Sequence, residues 1–188
     1  MSELPFRAAA IFSIAAFLIT AVAGAAVVMG NPDTGRQFIQ IVRDEVLGKV
    51  DAHDPPSLAV FIFFNNLQAC ILLFLGGATF GLLTLLIIAA NGIIIGGIIE
   101  LVRQERGSLY VAAAILPHGV FEIPSFIISA SLGFILGAAL HAEWRSQGDA
   151  AATARDHART FLLVVVPLVA IAAFIEAFIT PQIIQLVS

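Results

Sequence analysis

Three ionisable side chains, His118, Glu122 and Glu176, sit inside long apolar runs of this sequence, where a bare charge is costly and a functional reason is the default explanation. His118 and Glu122 belong to the stretch Leu116-Pro117-His118-Gly119-Val120-Phe121-Glu122-Ile123-Pro124 and are four residues apart, so a roughly helical backbone puts both on one face. An imidazole and a carboxylate so placed can share a proton or grip an ion. The donors available to a divalent metal ion are a neutral imidazole from His118, carboxylates from Glu122 and Glu176, and amide oxygens from Asn65 or Asn91. Zinc suits an imidazole with carboxylates, whereas magnesium or calcium takes more oxygens. Three readings stay open: a hydrogen-bonded lock for a bent helix, an ion-binding or conduction site, and an intramembrane metallohydrolase in which the pair activates a water on a metal. No His-Glu-x-x-His, Gly-x-Ser-x-Gly or glycine-rich phosphate loop accompanies them, and no residue is assigned as catalytic.

The same stretch constrains the backbone. Pro117 and Pro124 lack N–H groups and clash with the preceding turn, so a break or a hard bend is expected around Pro117, Gly119 and Pro124, with a broken or re-entrant helix near 109–124. Backbone groups freed there need cover from protein or from a water-lined cavity, which makes the stretch an interior element.

The elements that hold these residues follow from composition. At 60% hydrophobic and 12% charged, with a mean hydropathy of +1.00 over 188 residues, the chain is too apolar for a soluble domain. Its apolar runs suit helices of about 20 residues rather than alternating barrel strands of about ten, so the expected class is an all-α, multi-pass helical membrane protein of the cell membrane. A net charge of −4 with scattered Lys and Arg argues against a nucleic-acid partner. The lone Cys70 has no internal partner for a disulfide and reads as a buried packing residue.

In chain order, a single membrane domain, 1–188, is expected, with spans near 8–29, 58–75, 78–101, 118–140 and 160–180. The first apolar run is long for a signal peptide and is read as a retained span. A connector over 31–57 contains an amphipathic helix near 36–50, where Ile39, Val42, Val46 and Val50 recur at helical spacing. His53, between two aspartates, is read as a solvated loop residue. The run from Leu58 to Leu101 is long enough for two helices with a break near Gly76-Gly77. The second carries a stripe of small and polar residues suited to close helix packing, and Asn91-Gly92 can also mark a local unwinding. Glu100 belongs with Arg103, Glu105 and Arg106 at the membrane interface. Residues 141–159 read as a polar loop with Trp144 as an interface anchor. Positive charges divide almost evenly between the two sides, so they do not orient the chain. The glycine stripe and the amphipathic segment together point to a homo-oligomer, taken as a dimer.

Several of these motifs together carry a family resemblance: Asn65-Asn66, the glycines from Gly76 to Gly81, Asn91-Gly92, the stretch 116–124, and Ile175-Glu176-Ala177-Phe178-Ile179-Thr180-Pro181. The chain resembles the stage II sporulation protein M family of integral membrane proteins. That resemblance implies a membrane scaffold or assembly role, in the bilayer and beside a membrane or cell-wall-enzyme partner, and favours a cytoplasmic N-terminus. The sporulation task itself does not transfer with it.

Overall fold

A computed structural model describes residues 4–31, 33, 35–37 and 54–187. The amphipathic helix expected over 36–50 lies, from residue 38 onward, outside the described residues, as does His53. The elements are α1 (Phe6–Gly30), α2 (Pro55–Leu75), α3 (Leu82–Arg106), α4 (Ser108–Trp144), α5 (Ala150–Thr160), α6 (Val166–Phe178) and α7 (Thr180–Gln185). A 3₁₀ turn at Gly76–Thr79 links α2 to α3, and a π-helical turn at Phe161–Val165 joins α5 to α6. No strand occurs among the described residues, and five segments are long and apolar enough to cross a membrane: Phe6–Gly30, Pro55–Thr79, Leu82–Arg106, Ser108–Trp144 and Ala150–Gln185.

The helix faces turned away from the core are as oily as the core itself. Leu18, Ile19, Val22, Leu86, Leu162, Leu163 and Phe174 are exposed, which suits hydrocarbon rather than water. Inside, Phe17, Leu73, Phe74, Ile88, Leu132, Val165 and Val169 form one continuous cluster. With the apolar faces already solvated by lipid, close van der Waals fit has to hold the helices together, and small residues supply it. α1 lies along α3, and their backbones nearly touch: a Cβ on Gly96 would run into the backbone of Ala21, and one on Gly24 into that of Ile93. Thr84, Ile88, Gly92 and Gly96 recur every four residues on the buried face of α3, and the helix continues without unwinding through Asn91-Gly92.

The α2–α3 reversal follows from its sequence. Phe80 (φ 56°) and Gly81 (φ 82°) both take the left-handed conformation, for which glycine has no steric penalty. Thr79 then bridges the corner, its hydroxyl donating to Gly76 O (2.7 Å) and accepting from Leu83 N (2.9 Å).

α4 is the central helix and packs on α1, α2, α3, α5 and α6. Of the break or hard bend expected there, it rules out the break. Pro117 and Pro124 both lie inside one uninterrupted 37-residue helix. Seven residues apart, they are about two turns from one another and so share a face, which carries the exposed Leu116, Val120 and Ile123. Each removes one N–H from the ladder. The opposite face keeps its bonds, and the buried Ser125, Phe126, Ser129 and Ala130 pack it so that the helix continues. Neighbouring helices can stabilise a proline within a spanning helix in this way. At about 1.5 Å per residue α4 is about 55 Å long, well beyond a hydrocarbon thickness of about 30 Å.

The expected polar loop over 141–159 also needs correction, because most of it is α5. Asp149 caps that helix by accepting from Ala152 N (2.8 Å), and Glu143 accepts from Ala150 N (2.8 Å). Ala154 and Ala158 turn toward the core, while the charges point outward. The π turn that follows absorbs Pro167: Val166 N bonds Phe161 O, one residue further back than α-helical geometry requires.

Candidate functional site

His118 and Glu122 lie one turn apart on the inner side of α4, about 15 and 21 Å from its start, and Glu176 approaches from the last turns of α6. Their potential ligand atoms all fall within 4.8 Å of one another, across elements separated by more than fifty residues. His118 Nε2 is 3.9 Å from Glu122 Oε2, and these side chains are only 14% and 19% exposed. They open on a cavity of about 310 Å³ that α2 walls with Asn65 and Asn66 and α3 with Ile95 and Ile99. Asn66 is buried, and its carbonyl oxygen accepts from Asn65 Nδ2 (3.3 Å). Gly119 is buried beside the pair and leaves room for the cavity on that side of α4.

Two bare carboxylates at that separation would repel by about 3 kcal/mol at an effective dielectric constant of about 20, in addition to the cost of burying each. A positive charge or a proton between them removes the conflict. One imidazole and two carboxylates form a donor set that zinc-class divalent ions accept. Ligand atoms about 2.1 Å from a tetrahedral ion are about 3.4 Å from one another. Closing a 4.8 Å separation to that value moves each atom by under about 1 Å, within the reach of small side-chain rotations. With three protein ligands, such an ion would keep one position exchangeable.

Among the residues singled out in the sequence, the fold gathers His118, Glu122, Glu176 and Asn65 around this cavity. Asn91 is not in its lining, and its side chain instead donates to Ile87 O within α3 (2.9 Å). Pro117 and Pro124 shape the outer face of α4 without breaking it. Glu100 is held at the end of α3 by two bonds from Arg103 (both 2.7 Å) and one from Gln104 (2.9 Å), away from the site. Asn66 and Thr180 are the site residues that the sequence reading named only as parts of longer motifs. Thr180 begins α7, four residues past Glu176, and its hydroxyl lies 3.4 Å from His118 Nδ1. Helical spacing from Glu176 was the signal for it.

These residues lie within the region that comparison with known proteins recovers. The family described as Stage II sporulation protein M matches the chain over residues 13–181. An uncharacterized protein of the archaeon Methanocaldococcus jannaschii is 36% identical over 126 residues, covering 65% of this chain and 70% of that protein. A second uncharacterized protein of the same organism is 33% identical over 87 residues, covering 46% of this chain and 37% of that longer relative. No solved structure matches. With His118, Glu122, Glu176 and Thr180 all inside the matched span, the chain belongs to the stage II sporulation protein M family.

Proposed function

We propose that this is a multi-pass protein of the cell membrane, with an assembly or scaffold role, whose fold is clasped by a divalent metal ion bound between His118, Glu122 and Glu176. One observation carries the reading: three ligand atoms of suitable chemistry lie within 4.8 Å of one another on two helices distant in sequence, facing a protein-walled cavity. An ion there would tie α4 to the C-terminal end of α6 and so set the shape presented to other proteins. The assembly role rests on the family resemblance alone. A homo-oligomer, and a membrane or cell-wall-enzyme partner engaged through the 31–57 region, belong to the same reading.

The test is elemental analysis of the purified chain after exposure to zinc, cobalt and manganese and removal of loose metal. About one transition ion per chain is expected in the wild type, with a loss of ten-fold or more in His118→Ala, Glu122→Gln and Glu176→Gln. Wild-type protein that holds no more metal than these variants ends the proposal.

The amide-lined cavity favours one second reading, a cation path, in which Asn65, Asn66 and the carboxylates guide an ion part of the way across. Flux into liposomes that disappears in Glu122→Gln supports it. Tight, stoichiometric metal without flux supports the clasp.

A further inference from the structure

The contact between α7 and α4 bears on which ring nitrogen of His118 is free to bind a metal. Thr180 is 5% exposed, and its hydroxyl oxygen has two polar neighbours: Ile175 O at 3.3 Å and His118 Nδ1 at 3.4 Å. A hydroxyl carries one hydrogen, and a carbonyl can only accept. If the hydroxyl hydrogen points to Ile175 O, a lone pair of the threonine oxygen remains for a hydrogen on His118 Nδ1, and these three groups are paired, while Nε2 and the Glu122 carboxylate are left facing one another as two acceptors that a cation can bridge. With the opposite assignment, two oxygens would face one another at 3.3 Å with no hydrogen between them. The first arrangement therefore places the imidazole hydrogen on Nδ1 and leaves the Nε2 lone pair facing Glu122, 3.9 Å away. Local backbone geometry keeps the hydroxyl there. α6 ends at Phe178, Ile179 N bonds Ile175 O (2.9 Å), and Pro181 supplies no N–H to draw the chain back into a regular helix.

We propose that Thr180 is the positioning residue of the cation site: it fixes the Nδ1-protonated form of His118 and thereby makes Nε2 a ligand for a zinc-class ion, the part played elsewhere by groups that orient metal-binding histidines. The inference rests on the cation-site reading above. It excludes the alternative in which His118 Nε2 carries a hydrogen and serves only to bond Glu122.

Cobalt(II), whose visible absorption reports its ligands, is titrated into the full-length chain in detergent after chelator treatment, for wild type, Thr180→Val and Thr180→Ser. Wild type is expected to give a bound-cobalt spectrum. Thr180→Val weakens binding about 10- to 100-fold, and Thr180→Ser, which restores the hydroxyl, returns it to within about three-fold. Thr180→Val that binds cobalt with wild-type affinity and spectrum overturns the positioning role while leaving the cation site standing. Wild type with no bound-cobalt spectrum overturns both. Histidine-selective ¹⁵N NMR of the metal-free wild type, with His118 assigned by its loss in His118→Ala, gives a readout that does not depend on how Thr180→Val folds. The expected pattern is a hydrogen-bearing Nδ1 with a bare Nε2, and the reverse pattern refutes the proposal.

Discussion

Two adjacent glycines on α3 provide the sharpest test of how these helices are held together. A Cβ added to Gly96 would collide with the carbonyl and Cα of Ala21, which are backbone atoms of α1 and cannot rotate aside. On Gly97 the nearest atom is the Val28 Cγ2 methyl at 3.4 Å, an ordinary van der Waals contact. Both substitutions to alanine gain up to about 1 kcal/mol of helix propensity. Gly96→Ala also has to push α1 away from α3, an overpacking cost of about 3 kcal/mol, at the upper end because rigid backbone is displaced. The net expectation is a loss of about 2 kcal/mol for Gly96→Ala and a change between zero and a 1 kcal/mol gain for Gly97→Ala. At about 2–4 °C per kcal/mol, the two variants should melt about 4–12 °C apart. The chain contains its own reporter, since its single cysteine, Cys70, is fully buried. A thiol-reactive fluorophore added during a thermal ramp in detergent therefore follows unfolding. Because Ile95 and Ile99 flank Gly96 and wall the cavity, the proposed metal clasp adds the expectation that Gly96→Ala also reduces metal retention. If Gly96→Ala melts with the wild type, or Gly97→Ala falls as far, the close α1–α3 approach is not what stabilises this fold.

Thr84 is fully buried, and its hydroxyl donates to Leu73 O across the α2–α3 corner (2.9 Å). Thr84→Val, nearly equal in shape, should lower stability by about 1 kcal/mol, with Thr84→Ser recovering much of it in the same thiol assay; an unchanged melt argues that the bond contributes nothing. Asp149→Ala removes the cap on Ala152 N and should cost about 1 kcal/mol in the first turn of α5, seen as faster amide hydrogen exchange at residues 150–153 while the rest of the chain is unchanged. Exchange there equal to wild type would count against the cap.

The all-α class and the membrane environment could be read from the sequence because both follow from quantities that do not depend on tertiary contacts: the length of the apolar runs and the scarcity of charge. The glycines signalled a corner between α2 and α3 but not its exact place: a 3₁₀ turn occupies Gly76–Thr79, and the left-handed residues are Phe80 and Gly81 beyond it. The spacing of His118 and Glu122 likewise held once α4 proved helical there. Local rules failed where packing outweighed them. Pro117 and Pro124 argue for a break, yet the buried opposite face of α4 carries the helix through both. The charges of 141–159 argue for a loop, yet the Asp149 cap and the inward-facing alanines make a helix. Membership of the site was decided by tertiary structure as well. Nothing along the chain distinguishes Asn65, which reaches the cavity, from Asn91, which bonds to its own helix. Glu176 and Thr180 meet His118 only because α6 and α7 fold back onto α4, bringing together residues that the linear order keeps more than fifty positions apart. Residue type and spacing along one helix are properties of the chain, whereas convergence of side chains from different helices exists only after the helices have packed.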